Sequence, residues 1–478
     1  MNREKSLIRN KIWNLLLILS GVFLSAIHFV RVFDNNFWGD EYFSIHMTRY
    51  SMAEMFAASA NDTHPPLYYL ILRFLIFIFG DYGWVYHLTS VIPFLVIVIL
   101  CITYVKKEFG FFSALVFLFI SGTMYNSSYF IVEVRDYEWA SLWMLLSFLF
   151  CRKVLLSIQN EVKKRDCILF VLFSLFAAYT NYFCVIGLIP VYLILLGYAI
   201  YRRSNLKTVI YIWLSTFLFY IPWGIVFIKH YSGNTSKYYK AGELTFLECF
   251  EYFFDSKFSV ILLGILIASS IVFLIASFES YEKVWVVMGL VLLVFTVALP
   301  IIIAKINSPF MYLRHLYPVC PVAWIVLSTS VGRIKYKELA SLLVLLLVAP
   351  FGILGLFNVL DEEARCNESL DNFLEITTPI IDELGCDILT NEDIISTGFG
   401  SYYFPQVQTY YYFEDNVVTP MIDTTSNAIM IFDVYLYENG KDMVSFCQDS
   451  GYTCEKVLEN GYFGSYRLDV WKCLNLAK

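Results

Sequence analysis

Apolar residues fall along this chain in long blocks. Eleven blocks lie near 12–32, 84–105, 111–132, 137–152, 166–182, 184–201, 207–228, 258–278, 284–304, 316–332 and 339–360. A helix needs ~17–25 apolar residues to cross a hydrocarbon core of ~30 Å, and most of these blocks meet that length. Those at 137–152 and 166–182 sit at the short limit. A further block, LYYLILRFLIFIFG at 67–80, carries Arg73 at its centre and is too short to span, so it predicts an interfacial or re-entrant helix. Beyond residue 360 the pattern changes. FLEITTPIIDELG (373–385) has helical spacing and stops at Gly385. CDILT, NAIMIFDVYLY and YRLDVWKCL are runs of apolar and β-favouring residues and predict strands. The expected architecture is an all-α polytopic membrane protein with about 11 transmembrane helices and an interfacial helix, followed by a small C-terminal α/β extracytoplasmic domain. The expected domains are 1–360, embedded in the bilayer, and 361–478, acidic and water-facing.

Composition agrees with the blocks. Hydrophobic residues make up 58% of 478, charged residues 16%, and mean hydropathy is +0.62, so one soluble core cannot hide the apolar surface. Aromatics reach 18%, which suits helices with ring-bearing ends at the membrane interface. The net charge of −7 averages two unlike parts: 21 acids against 6 bases from Asp361 onward, and 20 acids against 28 bases before it. Lys and Arg placement orients the spans. With the N-terminus cytoplasmic, 18 basic residues fall in mostly short cytoplasmic loops and 10 in longer outer ones. Counting 67–80 as a span would move the Arg152–Lys153 and Lys163–Arg165 clusters outside. The expected location is therefore the cell membrane, multi-pass, with the C-terminal domain outside. The bilayer is a partner, and no nucleic-acid partner is expected.

On this topology the ionisable residues at membrane depth gather at the outer edge, where such groups face a cavity or a partner. The first outer loop, 33–83, holds FWGDEYFS with Asp40 and Glu41, then NDTHPPLYY with Asp62 and His64. A second, short loop is VEVRDYEW, with Glu133, Arg135, Asp136 and Glu138. Later edges add Asn181 and Tyr182 of TNY, and Arg314 and His315 of NSPFMYLRHLYP. Each piece also has a plain reading. Asp-Glu after a span can be a solvated helix start. His-Pro-Pro can be a rigid turn. Arg135 can pair with Glu133 or Asp136, and Arg314 can be a snorkelling anchor.

Taken in order, FWGDEYFS, DTHPPLYY with its short apolar helix, YFIVEVRDYEWA, AYTNYFCVIGL and YLRHLYPVCP resemble the protein-mannosyltransferase-like family of C-type membrane glycosyltransferases, related to bacterial aminoarabinose transferases. The resemblance covers roughly 12–332. It implies transfer of a sugar from a polyprenyl-phosphate carrier to a glycan, lipid or protein acceptor on the outer face. It places catalysis at Asp40, with Glu41 beside it, and the carrier phosphate at Arg314 and His315, with Arg135 as a further candidate. Asp62, His64, Glu133, Asn181 and Tyr182 become candidate substrate-binding residues. Asn181 stands where many relatives carry His, so the metal ligands are unknown; a divalent cation is left open and no other cofactor is expected.

The chemistry is consistent with such a site. A sugar on phosphate already has a good leaving group, so the main needs are a base for the acceptor hydroxyl and cations for the departing phosphate. One carboxylate base with direct displacement inverts the anomeric centre. The alternative is a polytopic transporter or flippase for lipid-linked glycans, with no transferase activity. That class calls for charged or broken helices at mid-membrane, whereas the charges here gather at one edge. In the C-terminal part, Cys447 and Cys454 enclose the short loop CQDSGYTC and are the expected disulfide.

Overall fold

The computed structural model describes residues 2–34, 36–62, 64–232, 244–254, 259–276, 280–306, 311–333, 336–391, 398–412, 418–419, 427–435, 443–463 and 466–475. The chain forms two compact units. One comprises Met1–Val32 and Met52–Val359, the other Phe33–Ser51 and Leu360–Lys478.

The first unit is a helical bundle, and the chain is a polytopic membrane protein. Among the described residues nine helices are long and apolar enough to cross a membrane, and Leu67–Phe79 and Phe111–Thr123 are shorter apolar helices. Two of the eleven expected spans fall short of that measure. The 166–182 block is the 17-residue helix Lys164–Thr180. The 111–132 block is two helices, Phe111–Thr123 and Tyr125–Phe130, parted at Met124, whose ψ of 145° is extended. The polar run after the break explains it: the Ser127 hydroxyl donates back to the Ser121 carbonyl, a local bond that competes with helix propagation. The 67–80 block is the helix Leu67–Phe79, entered after Pro65 and Pro66 and closed by Gly80 at φ +92°. That left-handed conformation is cheap only for glycine.

The expected break between a last span and a separate helix at 373–385 is absent. Lys337–Leu384 is one helix of 48 residues, ended by Gly385 at φ +56°.

In the second unit six strands form one mixed sheet: β1 (Asp387–Thr390), β2 (Thr409–Tyr412), β3 (Val418–Thr419), β4 (Ala428–Val434), β5 (Thr453–Phe463) and β6 (Tyr466–Leu474), in the order β3-β2-β1-β4-β6-β5. β1 runs parallel to β2 and β4, and the remaining pairs are antiparallel. The central pair registers Leu389 with Ile431, and both strands are buried along most of their length, as their unbroken apolar runs require. Met443, Val444 and Cys447 of the helix Met443–Asp449 cover this core.

The expected Cys447–Cys454 bridge is wrong. Cys454 is bonded to Cys473. The two stand opposite each other on β5 and β6, whereas Cys447 is buried in the core and its thiol is pushed up to about 12 by burial. The eight residues from Cys447 to Cys454 are not one flexible loop: helix, turn and strand hold the two ends apart.

Candidate functional site

The bundle gathers most of the expected site residues at one end. His-Pro-Pro stops the chain short of the helix Leu67–Phe79 and leaves His64 where its ring bridges two partners. Its Nδ1 lies 2.8 Å from Asp62 Oδ2, and its Nε2 lies 2.9 Å from Arg135 Nη2. A guanidinium has only donors, so Nε2 accepts and the ring proton sits on Nδ1, aimed at the Asp62 carboxylate. Asp62, His64 and Arg135 thus form a directed chain from carboxylate to guanidinium. Arg135 is 4% exposed. Its loop is held by the Arg135 N–H donating to the Glu133 carbonyl at 2.7 Å, and by the Ser90 hydroxyl donating to the same carbonyl.

Arg314 and His315 open the 3₁₀ turn Leu313–Val319, which leads into the buried helix Cys320–Gly332. The Tyr312 N–H donates to His315 Nδ1 at 3.2 Å, and the His315 ring packs 4.8 Å from that of Phe183. The Arg314 guanidinium lies 5.5 Å from the Tyr312 ring centre. Arg314, His64 and Arg135 all lie within electrostatic range of His315. The buried Tyr137 has Arg314, Arg135, Asp136 and Glu133 around it in the same way. Residues from three separated segments, near 62–64, 133–137 and 312–315, therefore converge.

Two of the expected binding residues are also tied into the frame. Asn181 caps the helix Tyr182–Arg202: its Oδ1 accepts the Phe183 N–H at 2.9 Å, and its Nδ2 donates to Asp136 Oδ2 at 2.9 Å. Tyr182 accepts a hydrogen bond from Trp223 Nε1 at 3.0 Å and packs on Phe227. Asn181 ties Asp136 in place, a role the Thr-Asn-Tyr motif alone does not reveal. Reading by motif also missed the pair formed by Tyr317 and Glu138, whose hydroxyl and carboxylate meet at 2.6 Å inside the bundle. Its signal was there in Glu138, an acid at the start of a span.

Toward the far end of Tyr137–Ser157, with Arg152 about 22 Å along the helix from Tyr137 by rise per residue, lies a second ionic cluster. Arg152 reaches Glu108 at 3.1 Å and Glu282 at 3.4 Å, and Arg333 also grips Glu282. Arg152 is only 3% exposed. It is a buried ion-pair partner within a helix and not the loop charge that the sequence suggests.

Near Arg314 the first unit holds a cavity of about 540 Å³, walled among others by Tyr125, Glu248, Glu251, Tyr252, Leu313 and Phe351. No group of three or more His, Cys, Asp or Glu side chains gathers as metal ligands among the described residues.

Asp40 and Glu41 belong to the second unit. The helix Gly39–Arg49 has Trp38 at its N-cap, so Asp40 is its second residue and not a capping residue. Glu41 fills the structural role: its Oε2 accepts the Trp38 N–H at 2.9 Å, and the residue is 4% exposed. Asp40 is half-buried. Both acids lie in the first turn, where the helix dipole favours negative charge.

No protein-family model matches the chain, and no curated protein matches it. Among solved structures the chain is similar to ArnT from Cupriavidus metallidurans in the apo state, with a TM-score of 0.58 and 11% identity, covering 97% of this chain and 98% of that one. It is also similar to ArnT from the same organism bound to undecaprenyl phosphate, with a TM-score of 0.56 and 12% identity, covering 98% of both chains. At this identity the likeness is one of fold, and it runs through both units.

Proposed function

We propose that this chain is a membrane glycosyltransferase that moves a sugar from a polyprenyl-phosphate carrier to an acceptor at the outer face of the membrane. The observation that carries this reading is the Asp62–His64–Arg135 chain set beside Arg314 and His315 at one end of the bundle. Two guanidiniums at a membrane edge suit a lipid-linked phosphate, whose oxygens accept from their fork of donors. The fold likeness to ArnT, which has been solved with undecaprenyl phosphate, points to the same donor class.

In this mechanism Arg135 and Arg314 hold the carrier phosphate. The acceptor hydroxyl oxygen attacks the anomeric carbon while the bond from that carbon to the phosphate oxygen breaks. Asp40 takes the hydroxyl proton, and the carrier leaves as polyprenyl phosphate with its charge held by the arginines. A single displacement inverts the anomeric centre. No step is routed through a metal. Glu41 keeps the helix start closed, and Asp62 with His64 orients Arg135. In this reading 1–360 is the membrane-embedded transferase domain and 361–478 the extracytoplasmic domain, with the N-terminus cytoplasmic.

The test is release of sugar from radiolabelled polyprenyl-phosphate donors by the purified chain in detergent or vesicles. Transfer or hydrolysis is the expected result. Donor left intact across a panel of hexosyl and pentosyl carriers, while labelled glycan crosses the vesicle membrane, would replace the transferase with a flippase.

A further inference from the structure

We propose that the C-terminal α/β part of this chain serves as the positioning platform for the segment that carries Asp40. The inference rests on the reading of Asp40 as the base. Its physical ground lies within the second unit, where Phe33–Ser51 is grouped with 360–478, some three hundred residues away in sequence.

The contact is an aromatic cluster. Tyr42 stands two residues after Asp40 on the helix Gly39–Arg49 and is 1% exposed. Its ring lies 5.9 Å from Phe399 and 6.3 Å from each of Tyr402 and Tyr403. Phe37, just before the helix, meets Tyr402 edge-on at 5.4 Å. The cluster continues inward: Phe399 packs on Phe373 of the long helix at 5.7 Å and on Phe432 of β4 at 6.2 Å. The Asp40 helix is therefore linked, ring by ring, to the centre of the sheet.

Gly398 sets the closeness of this approach. A Cβ added there would come within 2.5 Å of the Tyr42 Cβ, at 2.4 Å, so any larger residue must push the helix or the platform aside. Both sides of that contact are packed, so the displacement passes to the backbone that carries Asp40. A base acts only within hydrogen-bond reach of the proton it removes, and a shift of ~1 Å can cost ~10²-fold in rate. Tyr42, Phe37, Tyr402 and Gly398 are thus positioning residues. Phosphate-binding arginines lie in the other unit, so donor affinity is expected to be independent of them.

The experiment uses the full chain in nanodiscs, with undecaprenyl phosphate as the binding probe and turnover counted per binding-competent molecule. Tyr402→Ala and Gly398→Ala should lower kcat about tenfold to a hundredfold, with affinity for undecaprenyl phosphate within twofold of the parent. Tyr402→Phe, which keeps the ring, should restore most of the turnover. A merely structural role would reduce the binding-competent fraction and leave turnover per competent molecule unchanged, and that result overturns the proposal. If Gly398→Ala yields no folded protein, Tyr402→Ala against Tyr402→Phe decides the matter alone. Asp40→Asn run in parallel separates the two readings. Full activity in Asp40→Asn removes both the base and its platform. A dead Asp40→Asn with fully active aromatic variants removes the platform only.

Discussion

In the proposed mechanism His64 orients Arg135 toward the carrier phosphate, and replacing it with Ala tests that role most directly. The substitution removes the acceptor of the 2.9 Å bond from Arg135 Nη2 and the donor of the 2.8 Å bond to Asp62. Hydrogen bonds to charged groups contribute ~1.5–3 kcal/mol each, and Arg135 is nearly fully enclosed. A guanidinium released from its orienting ring binds phosphate with that much less pre-organisation. Taking one such bond as lost, the affinity for undecaprenyl phosphate should fall by roughly 10-fold to 150-fold, since ~1.4 kcal/mol is tenfold. His64→Gln, whose side-chain oxygen can still accept from Arg135, should lose less. The assay is a titration of reconstituted protein with undecaprenyl phosphate, followed by thermal unfolding of the same samples. Normal affinity in His64→Ala with a lowered unfolding temperature would show the chain to be structural only, and would refute the reasoning.

Other consequences follow from single residues. Asp40→Asn keeps size and helix position but cannot take a proton, so transfer should fall by ~10²–10⁴ while undecaprenyl phosphate still binds; parental turnover would exclude Asp40 as the base. Arg314→Ala should weaken binding of the same lipid phosphate by on the order of ~1.5–3 kcal/mol, and unchanged affinity would leave Arg314 as an interfacial anchor. Non-reducing peptide mapping should find Cys454 linked to Cys473 and Cys447 alkylated only after unfolding. Reduction of that bond, which closes a separation of 19 residues, should cost the second unit about 3 kcal/mol; a 447–454 peptide would contradict the strand register. Cysteine labelling of the tail in intact cells should succeed without permeabilisation, and its failure would overturn the outward placement of the C-terminal part.

The blocks of apolar residues determined the membrane character of this chain, because hydrocarbon demands continuous helical runs and little else satisfies the backbone there. Glycines and prolines set several boundaries just as directly: Pro65 and Pro66 before Leu67, and Gly385 after Leu384. The strands at 387–390, 428–434 and 466–474 were legible for the same local reason. The break at Met124 was not, since it depends on where Ser127 finds an acceptor. Nor was the disulfide, because proximity along the chain says nothing of which cysteines face each other across two strands.

For the site, residue type and order along the chain marked Asp62, His64, Arg135, Arg314 and His315 as candidates, since charge at a span's edge is costly without a use. Only tertiary structure decided which of them meet, and in what sense each proton points. It also decided that Asn181 and Tyr182 brace the bundle. Glu41 and Asp40 are adjacent in sequence and chemically alike, yet the helix that starts at Gly39 sends one carboxylate back to the Trp38 amide. That choice depends on a turn's direction, which residue identity alone does not specify. Nor does the sequence bring Tyr42 to Phe399 and Gly398: a contact across some three hundred and fifty residues exists only once two distant segments share a core.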